Sequence, residues 1–239
     1  MPRPEPRLGP RLEIDTLVFD VLGTLVDDQA GVRAGLRQLA PGLAGAETGE
    51  LQSLWERHVE DEQRRIRDGA RPYAAGDALD AEAARLVVDA VGAAASGAGE
   101  RLARAARRRP PWPDTVAGLA RLAERFRLIG LSNASRPELL ELGAGAGLRW
   151  HLLLSAEEVA TYKPDPAVYQ LAVRASGRPP DRLLMVAAHA WDLRGAQGQG
   201  LRTAYVARPT GEPPSPADRF DLYADGLFDL ADRLDLASG

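Results

Sequence analysis

The stretch that decides the fold is Ile14–Asp27, which reads IDTLVFDVLGTLVD. It begins with a short apolar run of β-branched and aromatic side chains, and Gly23 soon follows. Such a run, bounded by a turn signal, predicts a buried strand over residues 14–20. Asp20 ends this predicted strand, and Thr24 comes four residues later. We therefore expect a carboxylate and a hydroxyl at the carboxyl end of the first strand.

Strands and helices alternate in the second half of the chain, after a proline-rich break at residues 107–113 (RRRPPWP). Apolar runs predict strands at 126–131, 152–154, 183–187 and 203–206. Helices are predicted from about residue 137, just after residues 163–166, and up to residue 195. Strands separated by helices of this length indicate an α/β fold with a parallel sheet wrapped by helices.

Residues from about 29 to 109 contain no convincing strand and are rich in Ala, Arg, Glu and Leu. Leu51, Leu54, Trp55 and Val59 recur at helical spacing, and residues 81–91 can form another helix. We therefore predict an all-helical domain over residues 29–108, inserted after the first strand of a core formed by residues 12–28 and 109–239. Residues 1–11 are predicted to be a disordered tail, and residues 92–99 a flexible loop.

The composition excludes several classes of function. The chain has 239 residues and no cysteine, which removes disulfide scaffolds, zinc knuckles, thiolate catalysis and iron–sulfur clusters. A net charge of -4 argues against a nucleic-acid-binding surface. No apolar run approaches the roughly 18 residues of a membrane span, and the amino terminus lacks the apolar stretch of a signal peptide. We therefore expect a cytoplasmic protein that binds neither nucleic acid nor membranes.

The use of lysine is unusual. Lys and Arg together number 30, and Lys163 is the single lysine of the chain. A lysine retained among so many arginines suggests a need for a compact ammonium group with an adjustable pKa. Lys163 is therefore a candidate functional residue, with retention by chance as the alternative.

Polar side chains also follow the later predicted strands. Ser132 and Asn133 come at the end of the strand at 126–131, and His189 and Asp192 follow the strand at 183–187. Ligands of open α/β sheets bind outside the carboxyl ends of the strands, so we expect these side chains to converge on the first strand's carboxylate. Each of them alone also has a structural explanation, as a cap of a turn or helix or as an acid in a helix's first turn.

Four motifs, in order and with suitable gaps, resemble the haloacid dehalogenase superfamily. They are FDVLGTLVD (19–27), LSNAS (131–135), YKPDPAVY (162–169) and AAHAWDLRGAQGQGLRTAYVAR (187–208). Within the superfamily the chain is most similar to the (S)-2-haloacid dehalogenases. The resemblance extends from residue 12 to the carboxyl terminus. It implies a Rossmann-like core with a helical cap after the first strand, which agrees with the pattern of strands and helices.

The resemblance implies a role for each residue around the first strand. Asp20 would be the nucleophile that displaces a leaving group at carbon and forms an ester, and Thr24 would hold its carboxylate. Lys163 would keep Asp20 ionised, and Tyr169 would complete that polar network. Asp192 would help to position the water that hydrolyses the ester.

A second set of residues would bind the substrate, again by resemblance. Ser132 and the backbone amides of Val21 and Leu22 would hold the substrate carboxylate, and Asn133 would face the departing halide. Trp191 would form the apolar wall of the pocket, with core packing as its alternative.

Two positions distinguish the chain from the phosphatases of the superfamily. Those enzymes carry a general acid/base aspartate two residues after the nucleophile, where this chain has Leu22. They also bind Mg²⁺ partly through an aspartate whose place is taken here by Ala188. We therefore expect no metal site, no cofactor and an activity that survives EDTA, with a phosphatase as the less favoured alternative.

The chain also departs from the dehalogenase pattern. Dehalogenases have tyrosine at the position of Leu22, and serine and asparagine at those of Ala187 and His189. Their cap arginine, which meets the leaving halide, follows Leu-Trp; here Glu56 stands at that place and Arg57 comes one residue later. One residue turns a helical side chain by about 100°, so only one of Glu56 and Arg57 is expected to face the nucleophile.

The leading prediction is a metal-independent hydrolase of the 2-haloacid dehalogenase type, acting on a small carboxylic acid with a leaving group on its α-carbon. His189 is a candidate second base beside Asp192, or else a structural histidine. A catalytically weak relative that binds a small carboxylate or a protein partner is the alternative function. The resemblance also implies a homodimer formed through the cap.

Overall fold

The computed structural model describes residues 13–42, 44–93 and 96–238; the predicted disordered tail, residues 1–11, lies outside them. The described residues contain six strands: β1 Thr16–Phe19, β2 Arg127–Ser132, β3 Leu152–Ser155, β4 Leu183–Ala187, β5 Arg202–Val206 and β6 Leu222–Ala224. They form one parallel sheet in the order β3-β2-β1-β4-β5-β6. This is a Rossmann-like order, and it places β1 at the centre, paired with β2 and β4.

Nine helices of at least eight residues lie in the described ranges. Four of them follow β1: α1 Ala30–Leu39, α2 Gly45–Arg67, α3 Gly76–Ala90 and α4 Ala98–Ala106. The other five alternate with the later strands: α5 Thr115–Ala123, α6 Arg136–Ala146, α7 Pro166–Ser176, α8 Ala190–Gln197 and α9 Leu227–Ser238. None of the described helices is long and apolar enough to cross a membrane.

The alternation of side chains along β1 explains why helices cover both faces of the sheet. Successive side chains of a strand point to opposite faces. Leu17 and Phe19 belong to one core cluster, which contains Leu119 of α5 and Leu230 of α9. Val18 belongs to a second cluster on the other face, built largely from α7 and α8. All four residues of β1 are buried, as its unbroken apolar run predicts.

Helices α1–α4 have a core of their own, which we call the cap core. It is a cluster of buried side chains from all four helices: Val32, Leu36, Trp55, Ala83, Ala84, Val87, Leu102 and Ala106. The helical spacing predicted around Trp55 corresponds to the face of α2 that packs into this cluster.

The α/β class with an all-helical cap after the first strand is confirmed, and several boundaries differ from the predicted ones. β1 is shorter than predicted because its ladder pairing spans only residues 16–19. The predicted loop at 92–99 ends earlier, since α4 begins at Ala98 after Gly97 adopts a left-handed conformation; residues 94–95 lie outside the description. β6 and α9 were not predicted; β6 is a three-residue edge strand, too short for a periodic signal. The division into two domains at residues 28/29 and 108/109 stays a prediction.

Candidate functional site

A single buried lysine joins two carboxylates at the carboxyl edge of the sheet. Asp20 follows β1, Lys163 lies in the loop between β3 and α7, and Asp192 lies in the first turn of α8. Lys163 Nζ donates to Asp20 Oδ1 at 2.7 Å and to Asp192 Oδ2 at 2.6 Å. The lysine is 1% exposed and Asp192 is fully buried. The three side chains expected at successive strand ends therefore do converge.

The second oxygen of Asp20 is held by the turn that follows β1. Thr24 Oγ1 donates to Asp20 Oδ2 at 2.6 Å and itself accepts from the Ala188 amide at 2.9 Å. His189 places Nδ1 3.2 Å from the same Oδ2. The turn depends on Gly23, which has a φ of +76° and whose Cβ, if present, would lie 2.6 Å from His189 Cε1.

These contacts keep Asp20 ionised. Burial alone would raise the pKa of its carboxyl, but the charges of Lys163 and His189 outweigh burial and hold that pKa well below its usual range. Burial would lower the pKa of Lys163, but Asp192 and Asp20 raise it. Likewise, burial opposes protonation of His189, while Asp20 raises its pKa. The site thus holds a carboxylate flanked by an ammonium and by an imidazole whose protonated form Asp20 stabilises.

Tyr169 holds the Asp192 carboxylate in place from α7. Its hydroxyl donates to Asp192 Oδ1 at 2.8 Å, and the side chain is fully buried on α7. Burial, together with the charge of Asp192, raises the pKa of Tyr169, so the hydroxyl stays a donor. With Tyr169 on one oxygen and Lys163 on the other, the Asp192 carboxylate is fully engaged within the protein.

A cavity of about 450 Å³ opens above Asp20, between α1–α3 and the edge of the sheet. From the core it is lined by Asp20, Leu22, Asn133, Lys163, His189, Trp191, Thr210, Gly211 and Glu212. From the cap helices and their junctions it is lined by Asp28, Gln29, Val32, Gln52, Trp55, Glu56, Val59, Glu60, Gln63, Asp80, Ala106 and Arg109. The nucleophile candidate is therefore reached through a space that both parts of the chain enclose.

Asn133 connects the two walls of this cavity. Its Oδ1 accepts from the Lys163 amide at 2.8 Å, and its Nδ2 donates to Gln63 Oε1 of α2 at 3.3 Å. Trp191 also lines the cavity, with its ring 5.9 Å from that of His189.

Three of the candidate site residues do not present their side chains to the cavity. The Ser132 hydroxyl is fully buried and accepts from the Ala134 amide at 3.1 Å, which caps the chain locally. Val21 packs its side chain into the sheet core, so the prediction for it concerns its backbone amide alone. Tyr169 contacts Asp192 instead of the cavity. In each case the side chain is used to build the carboxyl edge of the sheet, and the predicted role of Ser132 in binding the substrate carboxylate stays a prediction.

The structure distinguishes between the two cap candidates, Glu56 and Arg57. Glu56 lines the cavity and accepts from Gln52 Nε2 at 2.9 Å. Arg57 is exposed and lies outside the cavity wall, because it is one residue further around α2. Of the two alternatives, the structure therefore favours Glu56 as the residue that faces the nucleophile, and substrate binding by either residue stays a prediction.

Five charged residues of the cavity were missed by the sequence analysis: Asp28, Glu60, Asp80, Arg109 and Glu212. Arg109 donates to Asp80 Oδ2 at 2.9 Å and to Glu138 Oε1 at 3.1 Å, which joins α3 to α6. Burial raises the pKa of Asp80 to about 6 and that of Asp28 to about 6. Arg109 stood in the run 107–113, which indicated only a helix break. Asp28 directly follows the first motif, FDVLGTLVD (19–27), and that position was a usable signal.

The residues present do not fit a magnesium site of the phosphatase kind. Leu22 and the fully buried Ala188 supply no oxygen ligand from their side chains. In the part of the chain that the structure describes, no group of three or more His, Asp or Glu side chains is arranged to hold a metal ion. We therefore derive no step through a metal.

Comparisons with known proteins point to one family. A family model described as a haloacid dehalogenase-like hydrolase matches residues 14–200. The chain is 32% identical over 199 residues to the (S)-2-haloacid dehalogenase H-109 of Pseudomonas putida, covering 82% of this chain and 86% of the relative. A crystal structure of an L-2-haloacid dehalogenase matches with a TM-score of 0.83 and 33% identity, over 93% of this chain and 99% of that one. The L-2-haloacid dehalogenase of Xanthobacter autotrophicus gives 0.81 and 25%, over 95% and 100%.

Proposed function

This chain belongs to the haloacid dehalogenase-like hydrolases and is of the 2-haloacid dehalogenase type, and we propose that it works through an ester on Asp20. The observation that carries the proposal is the state of Asp20. Its carboxylate is held at both oxygens, by Lys163 and by Thr24, and it lies at the floor of the cavity. A fixed, ionised carboxylate facing a cavity is what a displacement at carbon needs.

The substrate is a small 2-haloacid, and the reaction has two steps. In the first, an oxygen of Asp20 bonds to the α-carbon while the carbon–halogen bond breaks and halide leaves. In the second, water attacks the carbonyl carbon of the Asp20 ester, which releases the 2-hydroxy acid and restores the carboxylate. Lys163 and Thr24 hold Asp20 for the first step, and Asn133 and Trp191 shape the wall beside it. The backbone amides of Val21 and Leu22 are the proposed site for the substrate carboxylate.

The test combines halide release with detection of the ester. We expect halide to be released from one or more acids in a panel of 2-chloro and 2-bromo acids, and intact-mass analysis to find the ester on Asp20. A single turnover in ¹⁸O-water should label Asp20 and leave the first product unlabelled. Label in that first product would mean direct attack by water and would contradict the ester. The Asp20→Asn variant is the control, and it should release no halide in one turnover.

We further propose that the protein is cytoplasmic and forms a homodimer through the cap. The supports are that none of the described helices could cross a membrane, and the resemblance to the (S)-2-haloacid dehalogenases. Cell fractionation tests the first, and light scattering of the purified chain tests the second; a monomer at micromolar concentration would contradict the dimer.

A further inference from the structure

His189 lines the cavity and contacts Asp20. It is also partly exposed, unlike Lys163 and Asp192. Its Nδ1 lies 3.2 Å from Asp20 Oδ2, and its side chain keeps 18% of its surface exposed. Asp192, the residue expected to position the hydrolytic water, is fully buried and is absent from the cavity wall. Its two oxygens are occupied by Lys163 and Tyr169. Of these two expected bases, only His189 has access to water in the cavity.

The other ring nitrogen of His189 lies near Asp28 but makes no direct hydrogen bond with it. Both groups approach the same point beside Gly23: His189 Nε2 comes within 2.9 Å, and Asp28 Oδ1 within 3.6 Å, of the position a Cβ at residue 23 would take. Asp28 Oδ1 is buried and has no hydrogen-bond partner among the described residues. A glycine at this position therefore leaves open the space between the edge of the imidazole and the Asp28 carboxylate.

We propose that His189 is the base that takes a proton from the water that hydrolyses the Asp20 ester, and that Asp28 is a positioning residue that orients the imidazole. The proposal rests on the proposed function above. Asp28 accepts a hydrogen bond from Nε2–H through one bridging water, and this fixes the tautomer in which the Nδ1 lone pair faces Asp20.

The charge on Asp20 controls the protonation of His189, and this charge differs between the two steps of the reaction. Before the first step, the Asp20 carboxylate raises the pKa of His189 and favours the imidazolium. Formation of the ester removes that negative charge, so the pKa of His189 falls and the ring releases its Nδ1 proton to solvent through the cavity. The ring becomes a base only after there is an ester to hydrolyse.

The other charged groups around His189 do not replace Asp20 in this role. The charges of Asp28, in the segment before α1, and of Asp192, on α8, also raise the pKa of His189. Asp192 is paired with Lys163. Glu212 pairs with the His189 backbone in an isolated bridge, while its carboxylate is taken by Arg194. Arg109 acts on Asp28 from across the cavity.

The hydrolytic step balances without any further reactant. His189 Nδ1 takes one proton from water as the water oxygen bonds to the carbonyl carbon of the ester. The tetrahedral adduct then breaks its bond to the substrate oxygen, and that oxygen takes the proton back from Nδ1. The second proton of the water, left on the new carboxyl of Asp20, passes to His189 Nδ1 and restores the carboxylate beside a protonated imidazole. The products are the 2-hydroxy acid and the Asp20 carboxylate, with one solvent oxygen now in Asp20.

The decisive variant is His189→Asn, which keeps a polar side chain beside Asp20 and cannot exchange a proton. With (S)-2-bromopropionate we expect one equivalent of bromide per site in a burst, a kcat lowered on the order of a hundredfold, and an Asp20 ester that accumulates in the intact mass. His58→Asn, a histidine on α2 outside the cavity wall, is the matched control and should turn over like the natural protein.

Each other outcome has its own meaning. Turnover of His189→Asn at the natural rate without ester would overturn the assignment. Loss of the bromide burst in this variant alone would also overturn it, because His189 would then act in the first step. Absence of bromide and ester in the natural protein would instead refute the proposed function itself.

The pH dependence tests the same assignment without relying on the fold of a variant. In the natural protein, the rate of ester breakdown after a single-turnover load should rise with pH through one ionisation. Asp28→Asn should move the midpoint of that ionisation to lower pH and lengthen the ester lifetime severalfold, which a purely structural role would not do. An ester breakdown rate that is flat between pH 5 and 9 would overturn the proposal.

Discussion

At the scale of single residues, Lys163 makes the strongest demand on side-chain shape. Its ammonium touches Asp20 and Asp192 at once from a fully enclosed position. Lys163→Arg should lower kcat at least about tenfold, because a longer, planar guanidinium cannot reproduce two point contacts in that space. Lys163→Met, which has a similar length and no charge, should raise the pH at which activity appears, because Asp20 loses the charge that lowers its pKa. Wild-type kcat in both variants would contradict the role of Lys163.

Glu56 and Arg57 allow a matched pair of substitutions on one helix. A carboxylate on the cavity wall opposes both an anionic substrate and a departing halide. Glu56→Gln should therefore raise kcat/KM for 2-chloropropionate by about tenfold, which corresponds to about 1.4 kcal/mol. Arg57→Gln removes an exposed charge and should change kcat/KM by less than about twofold. The reverse pattern in halide-release assays would mean that Arg57 faces the nucleophile.

At the scale of elements, the turn after β1 determines where the His189 ring lies, because Gly23 has a positive φ and leaves room for the ring. Gly23→Ala should cost about 1 kcal/mol of unfolding free energy, because alanine is strained at a φ of +76°. It should also lower kcat by ten- to a hundredfold, because its Cβ displaces His189. Gly69→Ala is the control, since Gly69 has a φ of +71° with nothing within 4 Å of its Cβ position. It should lose similar stability and keep full kcat; equal kcat in both variants would contradict the coupling.

Arg109 fastens the cap to the core, because it pairs with Asp80 of α3 and Glu138 of α6. All three side chains are largely buried, so Arg109→Gln leaves two carboxylates facing each other without a cation. It should lower the unfolding free energy by about 3 kcal/mol in urea titrations. Arg107→Gln, two residues away, breaks an exposed pair with Asp77 and should cost less than about 1 kcal/mol. Equal losses would show that Arg109 is not a structural junction.

The elements also show how far the sequence predicts this structure. β4 was predicted at its observed bounds, because LLMVA is wholly buried and needs no partner to identify it. Lys163 stood out by composition alone, and the family motifs pointed to Asp20. Arg109 was out of reach, because its role depends on α3 and α6 meeting at one point. Such meetings are properties of packing between distant segments, which local periodicity does not encode.

At the scale of the whole molecule, cap and core meet at a cavity with more carboxylates than cations. Asp20 is matched by Lys163 and His189, and Asp80 by Arg109. Asp28 has one oxygen with no hydrogen-bond partner among the described residues. Closing the cap over this space therefore buries a carboxylate that is not fully compensated, which ties the stability of the molecule to the ionisation of its site.

The dependence of stability on pH should report Asp28 directly. Burial raises its pKa to about 6, from an ordinary value of 3.8. Between these values the folded protein binds more protons than the unfolded chain, so Asp28 lowers stability as pH rises through that window. Asp28→Asn cannot ionise. The quantity to compare is the unfolding free energy of Asp28→Asn minus that of the natural protein. This difference should be up to about 3 kcal/mol larger at pH 7.5 than at pH 3.5.

Glu62 provides a control of opposite sign for the same measurement. Hydrogen bonds from Arg71 lower the pKa of Glu62, so its contribution to stability is present at neutral pH and is lost as pH falls. Compared with the natural protein at the same pH, Glu62→Gln should therefore be less stable at pH 7.5 than at pH 3.5. Asp28→Asn should show the opposite trend. Urea titrations of both variants at several pH values would separate the two effects. A difference between Asp28→Asn and the natural protein that stays constant from pH 3.5 to 7.5 would mean that the folded chain leaves Asp28 as well solvated as the unfolded one.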